Sequence, residues 1–299
     1  MEDTPGPPKP RLSSPSTVRE LLRRHGIRPR RRWGQHFLCD GNILEKIVTA
    51  AELKPEDLVI EPGAGLGMLT LELARGAGQV IAVERDPRLI PLLIENLKAA
   101  GAANVEVLQA DILELEFSQL AGDRPRARTK VKVVGNLPYA ITAPLLEWLT
   151  AEHGRLALAV LMVQQEVAEK LLAPPGPGAS ALGVRVRAFA DVALIRRVPR
   201  TVFWPPPDVD SALIKLTFLE RPRFTADEQV FFKVVRAAFN LRRKTLRGAL
   251  QRSPLLKLDQ VSIEEALRRA GIEGTRRGET LTLEEFDRLA RAIQELQPQ

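Results

Sequence analysis

An apolar run that ends in three alternating glycines, Leu58-Val59-Ile60-Glu61-Pro62-Gly63-Ala64-Gly65-Leu66-Gly67, limits the folds open to this chain more than any other stretch. The run reads as a strand, and Met68-Leu69-Thr70-Leu71-Glu72-Leu73-Ala74 after it reads as a helix. Glycines at such a junction let main chain come close to a ligand. A second strand, Val80 to Val83, ends at Glu84, about twenty residues beyond Gly63, the spacing at which a strand-tip acid meets ribose hydroxyls in doubly wound folds. Gly63-x-Gly65-x-Gly67 departs from the G-x-G-x-x-G spacing that seats a pyrophosphate, so a nucleoside suits it better than a dinucleotide. A third strand, Val105 to Leu108, leads to Asp111, placed to accept from an adenine amino group. For Glu84 and Asp111 the plainer alternative is a helix cap or turn carboxylate.

A fourth strand delivers Asn136-Leu137-Pro138-Tyr139, bringing an amide, a proline and the chain's single tyrosine to one rim. These residues suit gripping a planar base and bonding to its amino group. An ordinary turn accounts for them too, with Asn136 bonding main chain and Pro138 stopping the strand. Tips at Gly63, Glu84, Asp111 and Asn136 fall on one carboxyl edge, where open α/β sheets bind ligands.

Strand and helix signals alternate to about Leu172, which predicts a mostly parallel sheet covered on both faces. A helix between Asn42 and Leu53 introduces the first strand, with Ile43, Leu44, Ile47 and Val48 at helical spacing. The Pro174 to Gly178 loop breaks the pattern, and Val209 to Phe218 alternates like a final strand. Beyond Arg221, Val230 to Asn240, Lys244 to Gln251, Ile263 to Ala270 and Leu283 to Leu296 read as four short helices. Three parts are expected: a basic, partly disordered segment over 1–33 with a short helix around Val18 to His25, a sheet domain over 34–220, and a helical domain over 221–299.

The 299 residues, 44% of them hydrophobic, suffice for a large and a small core. A net charge of +7 favours a polyanionic partner. The single Cys39 rules out an internal disulfide, and it and the scattered His25, His36 and His153 show no zinc spacing, so no metal is expected. Without a membrane-length apolar run or a signal-peptide core, the expected location is the cytoplasm, with no membrane partner. Arg30, Arg31 and Arg32 close a basic run that abuts Gly34-Gln35-His36-Phe37, while Arg242, Arg243, Lys244 and Arg247 cluster at the start of an expected helix. Both clusters suit RNA phosphate, and the alternatives are a solvated tail and a solvated cationic face.

Four blocks carry a resemblance that runs from about Arg32 to Leu289: Gly34 to Leu38, Asn136 to Tyr139, Val202 to Ser211, and Phe239 to Leu246. Together they resemble the ribosomal RNA small-subunit adenine dimethyltransferases, the family named for kasugamycin resistance. The resemblance implies a Rossmann-like class I S-adenosylmethionine methyltransferase sheet with a small C-terminal all-helical, RNA-binding domain. It implies N6,N6-dimethylation of two adjacent adenosines in the 3′-terminal hairpin of 16S ribosomal RNA, within the small subunit or its precursor, by a monomer. S-adenosylmethionine contacts are then expected from Gln35, His36, Leu38, Gly63, Gly65, Glu84, Asp111, Ile112 and Asn136, and catalytic contacts from Asn136, Leu137, Pro138, Tyr139 and Phe203. The chain departs from the family at His36, where many members have asparagine, at Ala140-Ile141-Thr142, where Asn-Ile-Ser is more usual, and at Ala179 to Gly183, a segment that often carries tyrosine and serine.

The chemistry expected of these residues follows from the substrate. An adenine amino nitrogen is a poor nucleophile because its lone pair is delocalised into the ring. The Asn136 side-chain oxygen and the Leu137 carbonyl would accept its two N–H bonds and aim the lone pair at a methyl donor. Tyr139 would stack on the flipped-out base, Pro138 would fix the turn, and Phe203 would supply the opposite face or else be a core aromatic. Rival readings are a large-subunit RNA methyltransferase of the macrolide-resistance type, a DNA adenine methyltransferase, whose usual Asp-Pro-Pro-Tyr is here Asn-Leu-Pro-Tyr, and an RNA-binding assembly factor without essential catalysis.

Overall fold

The computed structural model describes residues 14–30, 33–122, 131–241 and 243–296. It opens with α1 (Pro15–Arg24), β1 (Phe37–Leu38) and α2 (Gly41–Ala51). Ser14 accepts from the Thr17 amide and Asp40 from those of Asn42 and Ile43, so each helix start finds partners for amides its first turn leaves free. Strand and helix then alternate through β2 (Leu58–Pro62), α3 (Met68–Gly76), β3 (Gln79–Glu84), α4 (Ile90–Ala100), β4 (Val105–Gln109), α5 (Phe117–Ala121), β5 (Val131–Asn136), α6 (Thr142–Ala151) and β6 (Leu156–Gln164). Next come α7 (Gln165–Leu172), α8 (Ala181–Phe189), β7 (Ala190–Val198), β8 (Phe203–Trp204) and β9 (Ser211–Phe218). Four helices follow: α9 (Glu228–Asn240), α10 (Leu246–Gln251), α11 (Gln260–Ala270) and α12 (Leu283–Leu296). Among the described residues, no helix is long and apolar enough to cross a membrane.

Seven strands form one sheet in the order β4-β3-β2-β5-β6-β9-β7. β2 runs parallel to β3 and β5, β3 to β4, and β5 to β6. The chain thus builds outward from β2 through β3 and β4, then restarts on the other side of β2 at β5. That reversal opens a crevice between the carboxyl ends of β2 and β5, where α/β sheets of this kind take ligands. Every residue of β2 is buried, as expected for a central strand covered on both faces. β7 lies outermost and leaves Ala193 to Arg197 exposed, so it carries no apolar alternation by which the sequence would announce a strand.

The chain divides into two compact units. One carries the crevice between β2 and β5. The other, built from Leu146–Gly154, Glu166–Ala193 and Leu216–Gln299, has its own aromatic core. There Phe224 stacks on Phe231 with centroids 4.3 Å apart, and Phe189 packs at 5.7 Å from Phe232. Asp287 of α12 accepts from the Thr225 and Ala226 amides at 2.8 Å each, which fixes the entry to α9.

Candidate active site

The glycine turn after β2 is shaped by backbone conformation. Gly63, Gly65 and Gly67 have φ of +77°, +59° and +86°, a region side chains rarely adopt. A Cβ on Gly67 would lie 2.7 Å from Leu93 Cδ1, and one on Gly65 would lie 3.4 Å from the Phe37 ring. The Gly63 and Ala64 amides donate to the Val83 carbonyl at 2.8 and 3.2 Å, folding the turn onto β3. Its main chain therefore walls a cavity that extends past Glu84 to Asp111 and Ile112 on one side and past Asn136 to Pro138 on the other.

The two strand-tip acids each have an internal duty. Glu84, 7% exposed, accepts from the Gly65 amide at 2.8 Å and from the Asp86 amide at 2.7 Å, one on each oxygen. Burial raises its carboxyl above the usual range, against the pull of those N–H bonds. Asp111 accepts from the Leu113 amide at 3.1 Å through Oδ1 and pairs through Oδ2 with Arg85 Nη1 at 3.0 Å. Cap and cavity wall are thus the same carboxylates, and the two sequence readings of Glu84 and Asp111 do not exclude one another. Ile112 is buried beside Asp111.

The Gly34 to Leu38 segment is strapped across this edge. The Gln35 amide accepts from the Arg30 N–H at 2.7 Å and donates to Asp86 Oδ2 at 2.8 Å. Burial opposes the charge on Asp86, but the Arg88 guanidinium and Gln35 prevail and hold it at about 2. Arg88 in turn donates to the Arg28 carbonyl at 3.3 Å. Gly34 sits against the tetrad: a Cβ there would lie 3.4 Å from Pro138 Cβ and from the Tyr139 nitrogen. Leu38, 3% exposed, pairs with Phe203 where β1 meets β8.

Asn136 closes the cavity at the tip of β5. Its amide lies 3.0 Å from the His36 carbonyl, and because a carbonyl only accepts, Nδ2 must face it, which leaves Oδ1 as an acceptor without a partner among the described residues. Leu137 is buried, with its N–H directed at the Met162 carbonyl 3.4 Å away. The Tyr139 hydroxyl and Ser211 Oγ are 2.7 Å apart, and burial raises the phenol above its ordinary range. His36 Nδ1 lies 2.7 Å from the Pro205 carbonyl, and its ring is 6.0 Å from that of Tyr139.

Phe203 was expected either to face Tyr139 across a base or to be a core aromatic. The ring is 3% exposed and belongs to the core beneath β1 and β8. The alternation of β8 explains it, since pairing with Leu38 turns Phe203 inward and leaves Trp204 half-buried.

The basic residues fall unevenly. The Arg30 guanidinium lies 4.3 Å over the Trp33 ring, while Arg31, Arg32 and Arg242 lie outside the described residues. α10 starts at Leu246 under a Thr245 cap, so Arg243 and Lys244 are exposed in the turn before it and do not open the helix. Arg247 pairs with Glu264 at 2.7 Å. The sequence reading did not single out Trp33, Arg85, Asp86 or Ser211. It also passed over Glu61, 2% exposed, whose Oε2 has no partner among the described residues and whose carboxyl burial pushes up to about 8, against a pull from the nearby Thr70 hydroxyl and with the Glu84 charge adding to the rise. A lone acid inside the apolar run before Gly63 was the available signal.

Comparison with known proteins agrees with this geometry. The family model for ribosomal RNA adenine dimethylase matches residues 26–290. A ribosomal RNA small subunit methyltransferase A from Pelotomaculum thermopropionicum is 49% identical over 286 residues, covering 93% of this chain and 96% of the relative. A dimethyladenosine transferase from Plasmodium falciparum superposes with a TM-score of 0.73 at 29% identity, covering 85% of this chain and 96% of its own. The 23S rRNA methyltransferase ErmE superposes with a TM-score of 0.64 at 30% identity, covering 86% and 99%. The chain belongs to the ribosomal RNA adenine dimethylase family.

Proposed function

We propose that this methyltransferase uses S-adenosylmethionine to dimethylate N6 of two adjacent adenosines in the 3′-terminal hairpin of 16S ribosomal RNA, in the small subunit or its precursor. The orientation of Asn136 carries the reading. With Nδ2 fixed on the His36 carbonyl, Oδ1 is held as an acceptor at the end of the crevice. An amino group that donates to Oδ1 and to the Leu137 carbonyl is turned so that its lone pair leaves conjugation with the ring. Tyr139, tethered through Ser211, offers its face to the base, and Pro138 fixes the angle between amide and ring. No tuned general base is needed, because the nitrogen becomes acidic once alkylated.

The cavity residues fit the cofactor. The glycine turn leaves its wall free of side chains, Glu84 offers a buried acceptor for ribose hydroxyls, and Asp111 offers one for an adenine amino group. When bound, S-adenosylmethionine supplies a methyl group activated on sulfonium. Gln35, His36, Leu38, Gly63, Gly65, Ile112 and Asn136 complete its expected surroundings. Arg243 and Lys244, exposed and without a carboxylate partner among the described residues, are proposed phosphate contacts within a helical RNA-binding domain over 221–299, preceded by a catalytic domain over 34–220. Phe203 serves as a second base platform only if its ring leaves the core.

The 49% identity to a small-subunit enzyme favours 16S over 23S RNA. The test is mass spectrometry of ribosomal RNA from cells with and without this protein. Loss of two adjacent N6,N6-dimethyladenosines near the 3′ end of 16S RNA is the expected result. Loss from 23S RNA would move the substrate to the large subunit, and no change in either RNA would overturn the reading.

A further inference from the structure

The Arg85 guanidinium meets both partners that an adenine needs at the nucleoside end of the cavity. Its Nη1 lies 3.0 Å from Asp111 Oδ2 and its Cζ lies 5.2 Å from the centroid of the Trp33 ring. The other Asp111 oxygen is already engaged by the Leu113 amide at 3.1 Å, so Oδ2 is the one left for a ligand donor. Trp33, Arg85 and Asp111 all line the cavity, and Arg30 holds the indole further with its Cζ 4.3 Å from the ring centroid. A guanidinium is planar, donates in its plane to a carboxylate and presents a face to an aromatic ring. Adenine does the same with its amino group and its ring face.

We propose that Arg85 is a removable stand-in for the cofactor's adenine and that Trp33 is a cofactor-binding residue, the platform that serves the guanidinium in the free enzyme and the base in the bound one. This rests on the reading that the cavity takes S-adenosylmethionine. The Arg85 side chain is 59% exposed, so its hold on Asp111 is weak and solvent can receive it on release. Occupied partners nevertheless reduce apparent affinity by the fraction of molecules in which they are free.

The test is calorimetric titration of the full-length protein with S-adenosylhomocysteine. R85A should bind about two- to six-fold more tightly than wild type, the range expected when a weak competing ion pair is removed. W33A should bind about five- to a hundred-fold more weakly, as for loss of base–aromatic stacking, while W33F stays within about three-fold. Added salt should tighten binding to the wild type and not to R85A, because it screens the pair with Asp111. Unchanged or weaker binding by R85A overturns the stand-in, and that variant changes only an exposed side chain, so it reports even if W33A does not fold. Equal affinity of W33A and wild type overturns the platform. A wild type that binds no S-adenosylhomocysteine overturns the cofactor reading itself, a distinct outcome.

Discussion

Replacing Glu61 with Gln should stabilise this protein by an amount that grows with pH. Glu61 lies on β2 beneath the glycine turn, 2% exposed, with no partner for Oε2 among the described residues, and burial raises its carboxyl from 4.5 to about 8. In the unfolded chain the group ionises through its ordinary range, whereas in the folded chain it keeps its proton to about 8. Between those values the native state binds one more proton, so stability is fullest at low pH and falls as pH rises through the folded value. Integrated between about pH 5 and pH 7, the loss is about 2.5 kcal/mol. Glutamine mimics the protonated acid in shape and cannot ionise, so Glu61→Gln escapes that loss. For a chain of this size about 1 kcal/mol moves the melting midpoint by roughly 2 °C, so the gap between variant and wild type should widen by about 5 °C from pH 5 to pH 7. Calorimetric or fluorescence-monitored melts across that range measure it. A gap that stays constant with pH refutes the reasoning, because it would mean that Glu61 carries the same charge folded and unfolded.

Other perturbations follow from single contacts. Glu84→Ala removes the acceptor for the Gly65 and Asp86 amides along with the proposed ribose contact, and titration should find S-adenosylhomocysteine bound about ten- to a hundred-fold more weakly. Gly67→Ala puts a Cβ within 2.7 Å of Leu93 Cδ1 at a φ of +86°, so a thermal melt should show a loss of more than about 1 kcal/mol. Replacing both Arg243 and Lys244 with Ala should lower the salt slope of RNA binding by about two in a filter-binding series, whereas Arg247→Ala should change it less because Arg247 already pairs with Glu264.

The sheet and the placement of its rim were legible because each central strand is a run of apolar residues ended by one chemically distinctive tip. Gly63, Glu84, Asp111 and Asn136 had to share an edge once the strands were parallel, and the order β4-β3-β2-β5 puts them around one crevice. Other features depend on pairing across the fold, which spacing along the chain does not encode. Phe203 reads along the chain as either a base platform or a core aromatic, and only the register with Leu38 sets its ring in the core of this structure. β7 was not legible because its exposed residues satisfy no apolar period. Asp86 follows Glu84 by two residues, yet its duty depends on Gln35, fifty-one positions away in sequence.

The histidine at position 36 shows how a departure from a family pattern can leave chemistry in place. What holds Asn136 is the His36 carbonyl, at 3.0 Å, and every residue type supplies a carbonyl. The imidazole points elsewhere, with Nδ1 2.7 Å from the Pro205 carbonyl, where it secures the segment that leads from β8 towards Ser211. An asparagine side chain can donate to a carbonyl just as an imidazole N–H does. His36→Asn should therefore keep kcat/KM for methyl transfer within about five-fold, the worth of about one imperfect neutral hydrogen bond. His36→Ala, which leaves the Pro205 carbonyl without that donor, should cost about 1 kcal/mol of stability with the same Asn136 geometry. Steady-state kinetics on RNA substrate together with melting curves separate these effects. A fall of several hundred-fold for His36→Asn with an unchanged melt would show that the imidazole itself touches substrate or cofactor, and that the main-chain contact alone does not set the acceptor.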